Sequence, residues 1–476
     1  MSSRFFFFCV FFAWLGNARA NDLNLPDLGG AGGGLLSASQ EYQLGQQWLR
    51  LFRAQVKTSS DPFLQSYTEK LIRSLATYSE LQDKRLDILV VDNPTLNAFA
   101  VPGGVVGVHT GLFEYAKTEQ QFSSVMAHEL AHLSQRHYAR SLDEQKNNSI
   151  PTTAALLASI LILATGGGEA GVAALSATRA AALDNQLRFS RRMEQEADRI
   201  GMDTMMRAGM DPNAMPNMFE EMLHASRFQS KPPEFLITHP LTESRVSDAK
   251  LRAQQWPAKA EPLNLEYQLV RVRAILADER SPALAAKRFQ QELKAHASQP
   301  EISQYGLALA YQKLRDTERA LKTIDALLEQ SPENLYYLIA KAEILAEAGQ
   351  SEAAIGALKP LLADYPNHHA LNVKLAEIYM QAGDYKDCEA LLEAHVKRRP
   401  TDEYVWYLLA EAHGLAGHIL DVHTARAEYF LLNGNYPKAE NHIRNALALV
   451  KDDKKVRARL EEKLKDVQKL QRDNLL

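Results

Sequence analysis

The string His128-Glu129-Leu130-Ala131-His132 has the residue types and spacing for metal-assisted hydrolysis. An α-helix turns about 100° per residue, so positions four apart share a face. Both imidazoles can therefore reach one Zn2+, and Glu129 stands beside them to take a proton from an attacking water. Two histidines leave a catalytic zinc one protein ligand short, so a third must come from elsewhere. Arg191-Arg192-Met193-Glu194-Gln195-Glu196-Ala197-Asp198-Arg199 offers candidates. Glu194 and Asp198 are four apart on one helical face, whereas Glu196 points about 200° away from Glu194. Glu194 is assigned to the metal. Asp198 is expected to orient a ligating histidine or to assist proton transfer, as carboxylates behind metal ligands do.

For these groups to converge, both segments must be helical. Residues 121–127 lead into the motif without a breaker, and no Pro or Gly follows it before residue 150. Residues 40–78 read as two amphipathic helices, with Asp61-Pro62 as the start signal of the second. Stretches 86–91 and 105–112 read as strands, the latter following the Gly103-Gly104 turn. They suggest a small sheet forming one wall of a cleft, whose edge either takes an extended substrate by strand addition or only supports the helix. Residues 150–165 are almost entirely apolar but shorter than the roughly twenty needed to cross a bilayer. They are expected to form a buried helix or a lid, with peripheral membrane contact as the alternative.

The beginning of the chain reads as a signal peptide over 1–20. Arg4 precedes an apolar run over 5–15, and Ala18-Arg19-Ala20 supplies the cleavage site. Losing Arg4 and Arg19 takes the formal charge from −4 to −6, which argues against a nucleic-acid partner. No Cys follows the cleavage site to carry a lipid. Cys388 becomes the single thiol, so no intrachain disulfide forms, and it is expected to pack as a small buried residue. Residues 21–36 read as a glycine-rich leader. The peptidase part is placed at 37–260 and the second part at 261–476, with Pro257 and Pro262 flanking the joint.

That second part repeats. Pro332, Pro366 and Pro400 are spaced by 34 residues, as are Gly349, Gly383 and Gly417, and Ala308, Ala342, Ala376 and Ala410. The period is that of tetratricopeptide repeats. Small alanines let paired helices approach, glycine permits the turn, and proline ends the second helix. Gly434-Asn435-Tyr436-Pro437 comes half a period after Gly417, so one helix there serves two pairs. Residues 264–300 read as a capping repeat and 451–473 as a charged terminal helix. Such a solenoid offers a concave docking surface.

His-Glu-x-x-His followed by Glu-x-x-Ala-Asp resembles the zinc peptidase family that includes HtpX and the CAAX prenyl proteases. The likeness extends to Asn97-Ala98-Phe99-Ala100, to Ser124-Val125-Met126-Ala127, and to Thr238-His239-Pro240-Leu241-Thr242-Glu243-Ser244-Arg245. It is strongest to the family's periplasmic branch with a tetratricopeptide tail. The resemblance implies a mainly α fold: a gluzincin-type metallopeptidase domain with a small β-sheet, then an α-solenoid. It also implies one Zn2+ per chain on His128, His132 and Glu194, with Glu129 and Asp198 catalytic. It places His239 at the active site, where a fourth protein ligand would take the position water needs and hold the enzyme latent. Arg245 is expected to pair with a nearby acidic residue or with substrate. The implied work is outer-membrane protein quality control. Stalled or unfolded β-barrel proteins would be degraded, and others assisted through the outer-membrane β-barrel assembly machinery. The alternative is a chaperone or adaptor that binds through its repeats, with proteolysis latent or conditional.

Overall fold

The computed structural model describes residues 37–144, 190–228, 233–257, 259, 263–295 and 299–473. The expected signal peptide, the leader and the apolar stretch 150–165 lie outside these residues. No helix among those described is long and apolar enough to cross a membrane.

The chain is mainly helical with one small sheet. Helices Ala38–Gln55 and Pro62–Tyr78 form as expected, each started by a side-chain cap from Ser37 and Asp61. The sheet has three strands rather than two: β1 (Asp87–Val91), β2 (Ala98–Val101) and β3 (Val105–His109), in the order β1-β3-β2. β3 runs parallel to β1 and antiparallel to β2. β3 is shorter than the expected 105–112 and ends at His109. After His109 the Thr110 hydroxyl donates to the Asn93 carbonyl (2.9 Å), and Gly111 lies so close to the Pro94 carbonyl that a Cβ would sit 2.2 Å from it. The chain turns at once into helix Thr110–Tyr115. β2 escaped notice because Ala98-Phe99-Ala100-Val101 is short and not alternating, being buried on both faces.

The sheet, Pro62–Tyr78 and Glu119–Ser134 share a core with Met202, Met205, Met215, Met218 and Met222 from the helices beyond. Tyr267, Val270 and Ala274 of helix Leu265–Asp278 belong to the same cluster, so the first helix after the joint packs into the peptidase core.

The repeats match their expected geometry. Ala308, Ala342, Ala376 and Ala410 are all buried, and Gly349, Gly383 and Gly417 all have φ near 80°. Helix Ile419–Leu432 packs on both Glu403–Ala416 and Tyr436–Leu449, serving two pairs. Cys388 is buried and its thiol pKa is pushed up to about 12 by burial.

The solenoid curls onto the peptidase half. Phe63, from Pro62–Tyr78, enters a repeat core and stacks on Tyr336 with centroids 4.5 Å apart. The Arg273 guanidinium also lies over the Phe63 ring, 4.5 Å from its centroid, and binds Asp61 at 2.7 Å. Arg399 grips Glu69 with two bonds of 2.7 and 3.0 Å. Buried aromatic contact plus bidentate pairing makes this a fixed joint, so the repeats hold the peptidase as well as offering a surface.

Candidate active site

Helix Glu119–Ser134 begins with a capping box. The Thr118 hydroxyl accepts from the Gln121 N–H, and the Gln121 side chain accepts from the Thr118 N–H, both at 3.2 Å. Every residue from Gln121 to His132 is buried, so this helix runs through the middle of the core. Helix Arg191–Arg207 crosses it closely. Gly201 makes the approach: a Cβ there would stand 3.0 Å from the His128 backbone nitrogen and 3.1 Å from the Ala127 carbonyl carbon. Glu194 and Asp198 are carried on the face that meets His128 and His132.

His128 Nε2 and His132 Nε2 lie 3.0 Å apart. Glu194 Oε1 is 3.4 Å from His132 Nε2, and Glu194 Oε2 is 3.6 Å from His128 Nε2. His239 Nδ1 completes the group, 3.4 Å from His128 Nε2 and 3.0 Å from Glu194 Oε1. All four residues are buried and their donor atoms lie within 4.8 Å of one another. Four N and O donors in a buried site, spaced by about 3.0–3.6 Å, fit a small divalent cation, whose neighbouring ligands stand roughly 3.3 Å apart when bonds are about 2.0–2.1 Å. The residues present therefore fit a metal.

His239 caps helix Glu234–Thr238, its N–H donating to the Phe235 carbonyl (2.8 Å). The Phe235 ring stacks on its imidazole. Its Nε2 faces Glu129 Oε1 at 3.6 Å, so the ring stands between that carboxylate and the donor cluster.

Asp198 sits behind His128, with Oδ1 3.0 Å from Nδ1. Arg245, whose role the sequence left open, is the hub of this layer. Its Nε and Nη2 each bind Asp198 at 2.7 Å, and Nη1 lies 2.7 Å from Glu194 Oε2 and donates to the Pro240 carbonyl at 2.9 Å. One buried guanidinium thus joins both carboxylates to the segment bearing His239. Burial pushes the Asp198 carboxyl pKa up, but the bonds from Arg245 and His128 bring it below its ordinary value. For Glu194 burial is likewise outweighed, by His239 first, and the result lies well below the carboxylate range. Glu129 goes the other way: burial raises it against the pull of His239 and His128.

Two further residues were missed. The helix was expected to continue past His132, yet Arg136 adopts φ 51° and breaks it before His137–Glu144 begins. A left-handed arginine costs on the order of 1–2 kcal/mol, and its pairing with Glu41 at 2.9 Å helps to hold it there. The break turns His137 beneath the motif, placing its Nδ1 2.9 Å from His132 Nδ1 and its Nε2 3.2 Å from Glu196 Oε2. Glu196 does point away from Glu194, and that orientation is what brings it to His137 and Arg140 (2.9 Å). The signal lay in the short spacing from His132 to His137, invisible without the break.

A cleft of about 900 Å³ opens beside the cluster, lined among others by Ala100, Pro102, Gly103, His132, Tyr138 and Glu196. The outer edge of β2 borders it, and the Ala100 backbone hydrogen-bonds to the Glu129 carboxylate.

Gly201→Ala is expected to force the two helices apart by a few tenths of an ångström, because the new methyl meets backbone rather than a flexible side chain. Metal affinity should fall about tenfold with the fold retained, measured by competition with a chelator; unchanged affinity would show that the helix approach does not set the site.

A buried cluster of metal-type donors on a His-Glu-x-x-His helix, in a peptidase-like half clasped by repeats, defines a metalloendopeptidase joined to a tetratricopeptide solenoid. Residues 62–253 match peptidase family M48, and tetratricopeptide matches cover 275–334, 305–369 and 345–412. The chain is 35% identical to a putative beta-barrel assembly-enhancing protease of Vibrio cholerae, over 96% of this chain and 95% of that one. It is 34% identical to the beta-barrel assembly-enhancing protease of Escherichia coli K12, over 94% and 92% of the two chains. The mitochondrial metalloendopeptidase OMA1 of Schizosaccharomyces pombe is 31% identical over 41% of this chain and 53% of its own. The chain belongs to peptidase family M48.

Proposed function

We propose that this protein is a periplasmic zinc endopeptidase acting on β-barrel outer-membrane proteins that have stalled in assembly, and that it is built to be latent. The observation that carries the reading is the buried His128–His132–Glu194 cluster with Glu129 beside it. Near full-length similarity to relatives named for β-barrel assembly supports the substrate class, and the signal-like residues 1–20 support the compartment.

His128 and His132 through Nε2, and Glu194 through its carboxylate, would hold the zinc. The ion, when bound, polarises the scissile carbonyl and acidifies the attacking water. Glu129 takes the water's proton and delivers it to the leaving amine. Asp198 Oδ1 stands 3.0 Å from His128 Nδ1, a carboxylate contact that favours the proton on that nitrogen and leaves Nε2 with its lone pair for the metal. With Arg245 keeping it ionised, Asp198 acts as a positioning group rather than a proton carrier. His132 has a longer support. Its Nδ1–H would donate to His137 Nδ1, which places the His137 proton on Nε2, facing Glu196. Both histidines are thereby held in the ligating tautomer. A substrate strand adding to the outer edge of β2 would bring its backbone past Glu129 without a sequence requirement, which suits unfolded β-rich substrates.

The test that separates proteolysis from chaperoning uses cells lacking the protein. Glu129→Gln, expressed at wild-type level, should fail to clear a stalled β-barrel substrate. If it clears that substrate as the wild type does, binding through the repeats is the main activity.

A further inference from the structure

The 34-residue period makes the junctions between repeats comparable, and one of them departs from the pattern. Glu389 lies on helix Tyr385–Arg398, the second of its repeat. The residues 34 and 68 positions earlier are Ile355 and Leu321, apolar side chains packed against the repeat cores. His413, on the next helix Glu403–Ala416, corresponds to Tyr379 and Leu345. At this one junction, two largely apolar positions have become a carboxylate and an imidazole.

The following turn adds a third group. Gly417 takes φ 80°, the His418 N–H donates to the His413 carbonyl (2.9 Å), and the Gly417 N–H donates to the Gly414 carbonyl (3.2 Å). This is a Schellman motif, whose usual companion is an apolar contact between the residues where His413 and His418 stand. The preceding repeats hold Tyr379 with Asp384, and Leu345 with Gln350, in the same places. Here His413 Nδ1 and His418 Nδ1 approach a single oxygen, Glu389 Oε1, at 2.6 and 2.7 Å. The three donor atoms lie within 4.8 Å of one another. Glu389 and His413 are buried while the His418 side chain is 56% exposed, so the group opens to solvent on one side. Its surroundings favour a cation. His413 lies in the last turn of its helix, at the negative end of the dipole, and Glu393 and Asp421 act on His418.

We propose that Glu389, His413 and His418 form a second metal site, taking a divalent transition ion of the Zn2+ class, distinct from the peptidase centre. Two imidazoles and a carboxylate form a donor set that zinc accepts with one position left open. Donors around such an ion stand roughly 3.3 Å apart, so each imidazole must withdraw from Glu389 Oε1 by about 0.6–0.7 Å. His418, exposed and at the start of its helix, has room to do so. The ion takes the place of the Nδ1 protons that Glu389 now accepts, and those protons leave to solvent. Bound, it ties Tyr385–Arg398 and Glu403–Ala416 to the start of Ile419–Leu432, at a joint that sets the local curvature of the solenoid.

The test is zinc content of the full chain after equilibration with micromolar free Zn2+, measured by elemental analysis. Wild type should hold about two ions. Glu389→Ile with His413→Tyr restores the residues of the preceding repeat, keeping the junction packed, and should hold about one. His413→Ala should match it, with peptidase activity unchanged in both. Glu194→Ala reports on the peptidase centre separately, so failure of that reading shows in that variant alone. One ion in wild type with Glu194→Ala losing it, or two ions retained by the double variant, would overturn the proposal.

Discussion

Glu129→Gln should lower peptide-bond cleavage by about a thousandfold or more while leaving the fold and metal content intact. General-base catalysis contributes on the order of 10²–10⁴ in rate, and here the same group must also return the proton to the leaving amine. Glu129 is buried outside the donor cluster, so losing its charge removes the base without removing a ligand. Burial pushes its carboxyl above the ordinary range, towards the pH at which a base both accepts and releases a proton readily. Glutamine keeps the size and can still accept from the Ala100 backbone. Cleavage of an unfolded protein substrate, followed by gel with metal content measured in parallel, gives the result. Undiminished cleavage would remove Glu129 from the mechanism.

His239→Ala should change activity in the opposite direction, raising it about tenfold. The His239 ring lies between Glu129 and the donor cluster, with Nδ1 near His128 and Glu194 and Nε2 near Glu129. That is the space an attacking water and the scissile carbonyl must occupy. The ring is held by the Phe235 stack, and its segment by the bond from Arg245 to the Pro240 carbonyl, so it is a seated latch. A tenfold rise corresponds to about 1.4 kcal/mol of preference for the closed state, a modest value for one ligand-type contact. Initial rates on the same substrate, with folding checked by circular dichroism, decide it. A folded variant with equal or lower activity would make His239 a supporting group.

Much of this site could be read from the sequence because helical periodicity alone brings His128, His132 and Glu129 onto adjoining faces, and Glu194 and Asp198 onto one. The repeats were legible for the same reason: identical small residues at a fixed period leave few alternatives. What escaped depended on events outside a helix. The left-handed Arg136 places His137 under His132, and no residue-type rule expects a break at arginine. His239 itself was expected at the site from the resemblance, but the short helix ending at Thr238 that aims it into the cluster was not legible. Arg245 finds two carboxylates from a helix more than forty residues away, which spacing cannot specify. The clasp of the solenoid on Pro62–Tyr78 rests on Phe63, Arg273 and Arg399, ordinary residues until they meet. β2 was hidden by its shortness, and the strand expected over 105–112 ends at His109, the last residue paired with β1, before the His109-Thr110-Gly111 turn.

The most direct test of the central claim is anomalous diffraction at the zinc edge from crystals of the zinc-loaded chain. A peak about 2.0–2.1 Å from His128 Nε2, His132 Nε2 and a Glu194 carboxylate oxygen is predicted, with His239 Nδ1 closing the fourth position. No peak among these four residues under saturating zinc would contradict the account.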